Sequence, residues 1–195
     1  MKPILLAVIA VTLCIPVVAQ SSAWQLDPLH SSAQFAVRHM GISTVRGTFT
    51  KLNGTARYDA ADPKNNSVEV TIDTASVDTR VEMRDNDLRS DHFFDAQKFP
   101  TMTFRSTKIE SAGTNKVKIT GDLTIRGIAK PVTLDVDGPS KPVNDGQGHL
   151  HMGVSATGTV NRTDFGMTGY QGMVGNEVIL TIDAELVQPT TTAAK

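Results

Sequence analysis

Five histidines are the side chains of this sequence best suited to acid–base or metal chemistry. His30 follows Asp27-Pro28. It either bonds backbone inside a turn or stands as a polar contact at the rim of the fold. His39 shares a strand face with Phe35 and Val37, so it either faces the interior with them or ends the strand in solvent. His149-x-His151 has metal-like spacing, because residues i and i+2 of a strand point the same way. That face lies opposite Leu150 and Met152 and is expected to point outward. No third ligand accompanies it, and no metal centre is expected. Arg84-Asp85 and Arg162-x-Asp164 could each offer a guanidinium fork to an anionic head group, or brace a helix or turn against the fold. Catalysis has no constellation to rest on. Gly-x-Ser-x-Gly, Ser-x-x-Lys, His-Glu-x-x-His and a glycine-rich phosphate loop are all missing from the sequence. No catalytic residue is assigned.

These side chains must be positioned by strands. Val68, Val70 and Ile72 alternate with Glu69, Thr71 and Asp73. The same period of two runs through Val117–Arg126, Val132–Asp137 and Val178–Leu186. It marks antiparallel strands with one wet and one dry face. Further strands are expected near 24–27, 32–39, 45–58, 101–109 and 150–156. Gly47 and Gly54 are read as bulges or bends in the long 45–58 segment. The alternation breaks at Thr79-Arg80-Val81-Glu82, which fits a capping box, and a helical excursion is expected over Thr79 to about Phe94. The fold class is all-β, an extended antiparallel barrel of about eight strands. Eight strands enclose an interior just wide enough to be packed by side chains or to hold one ligand.

Composition narrows the partners. The chain of 195 residues suits a single domain, and 19 Lys+Arg against 20 Asp+Glu leaves no basic field for nucleic acid or an anionic membrane. Residues 1–19 read as a secretory signal peptide, cut after Ala19 or after Ala23. The segment begins Met1-Lys2 and continues as an apolar run to Val18. The only cysteine, Cys14, lies inside it, with Leu13 where a lipoprotein would need a small residue. The mature chain then has no disulfide, no thiolate and no membrane span, and export to a periplasm or beyond is expected. The polar, Thr-rich stretch 188–195 reads as a disordered tail.

Several short strings carry a family resemblance. They are Trp24-x-Leu26-Asp27-Pro28-x-His30-Ser31, Phe35-x-Val37-x-His39, Gly47-x-Phe49, Arg84-Asp85-x-x-Leu88 with Asp91-x-Phe93-Phe94, Phe99-Pro100-Thr101-Met102-Thr103-Phe104, Gly121-Asp122-Leu123-Thr124-Ile125-Arg126-Gly127 and Arg162-x-Asp164-Phe165-Gly166. In this order and spacing, over residues 24–187, the chain resembles the YceI-like family of polyisoprenoid-binding proteins. The resemblance implies a lipocalin-like periplasmic or secreted barrel that is not an enzyme and needs no cofactor. Its interior would hold one long-chain isoprenoid or fatty-acid-like lipid. A homodimer is compatible with the resemblance.

If the dry face lines a bore, the candidate wall residues are Phe35, Val37, Phe49, Val70, Ile72, Phe104, Ile119, Leu123, Leu134, Val136, Val154 and Leu180. His30, His39, Arg84 and Asp85 are the candidate contacts for a polar head. Two other readings stand beside the lipid carrier. In one, a filled barrel acts through its surface as a structural or stress-response module. In the other, an enzyme acts on a bound lipid.

Overall fold

In a computed structural model of the chain, residues 22–188 are described. The leader expected over 1–19, and the tail apart from Gln188, lie outside them. The strands are β1 (Ser22–Leu26), β2 (Ser32–His39), β3 (Ser43–Phe49), β4 (Leu52–Tyr58), β5 (Ser67–Asp73), β6 (Val77–Asp78), β7 (Thr101–Gly113), β8 (Lys116–Ile125), β9 (Ile128–Asp137), β10 (Val143–Asn144), β11 (Leu150–Asn161) and β12 (Val174–Gln188). One α-helix, α1 (Glu82–Arg89), interrupts them.

Three of the barrel's staves are broken strands. One edge of β12 pairs with β11, and its other edge pairs first with β2 and then with β1. β1 and β2 are therefore halves of one stave, parted by the turn at Asp27–Ser31. β3 and β4 form the next stave, since β3 pairs with β2 and β4 with β1. β5 and β6 form the third, bent at the short 3-10 turn Thr74–Ser76. β7, β8, β9, β11 and β12 complete the ring, which closes where β11 and β12 pair from Leu150–Gln188 to Asn161–Glu177. The result is a closed antiparallel barrel of eight staves. β12 is fifteen residues long, or roughly 45–50 Å of extended chain.

Alternation explains why these segments became staves. Along β12, Val178, Leu180, Ile182, Ala184 and Leu186 face the interior and Ile179, Thr181 and Asp183 are exposed. Buried side chains gather in two places. Phe49, Val77, Phe93, Phe94, Met102, Ile125, Phe165 and Met167 close in beneath α1. Trp24, Leu26, Leu52, Ala56, Met152 and Leu186 pack where β1, β4, β11 and β12 meet.

Four expectations are corrected. The helix covers only Glu82–Arg89, followed by hydrogen-bonded turns from Ser90 to Phe99. Thr79 does not cap it. Arg80 adopts a left-handed backbone (φ 63°), which turns the chain before the helix starts, and Val81 is an N-cap without a side-chain bond. Gly47 and Gly54 are not bulges, because the β2–β3 and β4–β5 registers run through them unshifted. The stave breaks instead at Thr50-Lys51. The register shifts fall in β7–β8, between Ser106 and Lys108 and again between Ser111 and Gly113, and in β12–β2 between Val174 and Val178. Gln188, placed in the tail by sequence, is the last residue of β12 and pairs with Leu150.

Candidate functional site: the barrel bore

The twelve apolar residues named from alternation all stand on the wall of one cavity of about 520 Å³. A small-molecule site typically spans about 300–1,000 Å³. The wall runs from His39, Arg84, Asp87, Tyr170 and Met173 at the helix end to Tyr58, Asn66, Val117 and Pro139 at the other. Between these ends nearly every lining side chain is aliphatic or aromatic.

Phe35, Val37, Val70, Ile72, Phe104, Ile119, Leu123, Leu134, Val154 and Leu180 point inward, yet each is only half-buried. In a packed core such residues are covered on every side. Here they keep accessible surface because the space in front of them is hollow. Phe49 and Val136, the other two, are buried.

Glycines make room for the rings that shape the bore. A Cβ on Gly47 would collide with the Phe35 ring, its direct cross-strand partner. A Cβ on Gly121 would meet Phe104 at 2.6 Å and the Arg105 carbonyl at 2.5 Å. From Phe35 a chain of rings runs toward the helix end. Its centroid lies 5.9 Å from Phe49, and Phe49 meets Phe94 edge-on at 5.4 Å.

The four candidate head-group contacts separate. His39 and Arg84 are on the cavity wall, and His30 and Asp85 are not. His30 sits outside the barrel, in the turn between β1 and β2, with Nδ1 2.7 Å from Asp27 Oδ2. That bond, with the nearby carboxylates, raises its pKa above the ordinary value, and the same bond chiefly lowers Asp27. Asp85 is buried and turns back to accept from the Thr79 backbone N–H at 2.9 Å and from its hydroxyl. Arg84 spends Nε on Thr79 Oγ1 at 2.7 Å and Nη2 on the Thr79 carbonyl at 2.9 Å. Its fork is thus largely committed to the protein, and Nη1 makes no hydrogen bond to the described residues.

Arg162 does not pair with Asp164, which is exposed. The guanidinium is 2% exposed and donates to four carbonyls: Gly175 at 2.9 Å, Met167 and Gly169 at 2.8 Å, and Val174 at 3.0 Å. It lies 5.7 Å from the centre of the Phe93 ring. Desolvation lowers its pKa. It ties the loop leading into β12 to the helix end of the bore.

Sequence reasoning missed the wall residues that come from the helix and from loops. Asp87 accepts from or shares a proton with His92 Nδ1 at 2.8 Å, and Tyr170 stacks on Phe93 with centroids 6.1 Å apart. Tyr58 and Asn66 line the opposite end. Tyr58 continues the inward alternation of β4, and that signal was available in the sequence. The loop residues follow no period and left none.

A closed eight-stave barrel around a single apolar bore is the build of a lipocalin-like binding protein, with a wall for holding a hydrophobic ligand and no catalytic constellation among the described residues. Comparison with known proteins narrows the class. The YceI-like domain matches residues 24–186, and the chain belongs to the YceI-like family. Protein YceI of Salmonella arizonae is 39% identical over 159 residues, covering 82% of each chain. The crystal structure of a Campylobacter jejuni YceI protein is 33% identical, covers 78% of this chain and 90% of its own, and superposes with a TM-score of 0.70. BcnA of Burkholderia cenocepacia is 27% identical, with coverage of 82% and 98% and a TM-score of 0.72. A polyisoprenoid binding domain from Saccharophagus degradans shares the fold at 14% identity, with coverage of 87% and 100% and a TM-score of 0.62.

Proposed function

We propose that the protein carries one long-chain, isoprenoid-like lipid through an aqueous compartment outside the cytoplasm. The observation that supports this most directly is the continuous apolar bore whose aliphatic wall stays half open. Each methylene transferred from water to such a wall gains about 0.8 kcal/mol, so a tail of about twenty carbons is held strongly without a single polar contact. His39, the Nη1 of Arg84 and Tyr170 would meet the head group at the helix end, and the tail would run toward Val117 and Pro139. The barrel shared with the Saccharophagus degradans polyisoprenoid binding domain supports the same ligand class. The apolar leader in residues 1–19 supports export to the periplasm.

Organic extraction of protein purified from its native host, followed by mass spectrometry, is expected to return about one long-chain lipid per chain. Leu180→Trp, which places an indole in the bore, is expected to reduce that yield while leaving the barrel folded. No stoichiometric lipid, together with no binding of any long-chain isoprenoid by the delipidated protein, would overturn the reading. Fractionation of host cells is expected to place the mature chain in the periplasmic extract. The surface-acting alternative needs a filled interior, and the bore argues against it.

A further inference from the structure

We propose that the outer wall of the barrel, beside the break between β1 and β2, binds a divalent transition metal, zinc by its donor set, through Asp27, His30, Glu185 and His151. Three segments distant in sequence meet there. A ligand atom from each of Asp27, His30 and Glu185 lies within 4.8 Å of the other two. His151, on β11, joins them with Nδ1 2.6 Å from Glu185 Oε1. Two imidazoles and two carboxylates are a borderline donor set that suits zinc better than calcium or magnesium, which prefer oxygen alone.

The frame around the cluster is built rather than incidental. The Asp27 backbone N–H donates to the Glu185 carbonyl at 2.8 Å, and the Glu185 N–H donates to Ser31 Oγ at 3.0 Å. These bonds lock the turn carrying His30 against the stave carrying Glu185. Leu29 N–H occupies Asp27 Oδ1 at 2.9 Å, which leaves Oδ2 to face His30. The Nε2 atom of His151 is buried and makes no hydrogen bond. Its nearest carboxylate oxygen is Asp145 Oδ2 at 3.5 Å, and Asp145 also holds His149 Nδ1 at 3.0 Å. A metal on Nδ1 would leave Nε2–H aimed at Asp145, the outer carboxylate that metal-bound histidines usually have.

The spacing suits insertion of a cation in place of the shared protons. Bonds of about 2.0–2.1 Å in a tetrahedron set donor atoms about 3.3 Å apart. The His30–Asp27 contact at 2.7 Å and the His151–Glu185 contact at 2.6 Å would each open by about 0.6–0.7 Å, and the two pairs would draw together, with Glu185 starting within 4.8 Å of Asp27 and His30. The His30 side chain is 63% exposed and free to swing by that much. Sequence spacing pointed only to His149-x-His151. The other ligands come from a turn and from the opposite end of the chain, and this folded juxtaposition is absent from any linear motif.

The test uses untagged protein, stripped with chelator and titrated with Zn²⁺ against a chromogenic chelator. About one zinc per chain is expected. His30→Ala and His151→Ala are each expected to weaken binding about tenfold or more, and His92→Ala, at the opposite end of the barrel, to leave it unchanged. Co²⁺ in place of zinc should give the visible absorption of a tetrahedral nitrogen–oxygen site, lost in the same two variants. Retained β-sheet circular dichroism in metal-free variants separates lost ligands from lost fold. His30→Gln provides a milder change at the same position should the alanine form fail to fold. No saturable binding by the unsubstituted protein, or equal affinity in the ligand variants and His92→Ala, would overturn the proposal.

Discussion

At the residue scale the helix end of the barrel depends on a few buried polar side chains. Asp85 and Thr79 are both buried, and the Asp85 carboxylate satisfies the Thr79 N–H and hydroxyl together. Asp85→Ala removes both bonds and strands a buried donor, which costs about 2–3 kcal/mol. The expected readout is a lower urea midpoint with an unchanged slope. His92 makes a second prediction. Its hydrogen bond to Asp87 raises its pKa above 6.5, so protonated His92 is favoured in the folded state. The stability this contributes is fully present below pH 6.5 and is lost as the pH climbs through the raised folded value. Proton NMR titration is expected to place the His92 midpoint above 6.5, and Asp87→Asn to bring it down toward 6.5. Neither role was legible beforehand. Asp85 reads in sequence as part of an Arg-Asp pair on a charged helix, and its reach back across the left-handed Arg80 is set by a backbone reversal. His39 was more tractable, because it rides the same alternation as Phe35 and Val37, and it stands on the wall with them.

At the element scale strands were legible and their interruptions only in part. Period two exposes a stave because burial on one face only leaves that signature. The break at Asp27–Ser31 is marked by Asp27-Pro28, whereas the one at Thr50-Lys51 falls inside a segment expected as one strand and follows the curvature of the closing ring, which has no linear signal. The glycines show the same limit. Gly47 looks like a bend in sequence, but its backbone stays in register and its missing side chain seats the Phe35 ring. Gly47→Ala is therefore expected to destabilise through collision rather than backbone strain, by about 1–3 kcal/mol. The double variant with Phe35→Leu, which withdraws the ring, is expected to recover part of that loss, because Thr79 Cγ2 still stands 2.7 Å from the new Cβ. Additive losses in the urea midpoint would show that the two sites do not touch. An equivalent cycle at Gly121 is complicated by the Arg105 carbonyl, which cannot move away as a ring can.

For the whole molecule the hollow interior sets stability and function against each other. Buried side chains concentrate beneath α1 and beside β1, and the long middle of the wall lacks packing partners on its inner side. Those residues forfeit dispersion contacts that a filled core would supply. A lipid tail in the bore would restore them, acting as the missing core. A ligand that binds only the folded barrel adds RT ln(1 + [L]/Kd), about 2.7 kcal/mol at a hundredfold excess over Kd. For a chain of this size each kcal/mol moves the midpoint by about 2–4 °C. Loading the delipidated protein with a long-chain isoprenoid is therefore expected to raise Tm by about 5–10 °C. Trp24 is the only tryptophan and is 3% exposed in the core beside β1, so its fluorescence follows unfolding of the barrel without a label. Leu180→Trp narrows the bore and should shrink the ligand-induced rise even if the unloaded variant melts higher than the parent. Identical melting with and without lipid would mean that the wall is already satisfied by itself, and the barrel would then have to act from its outer surface.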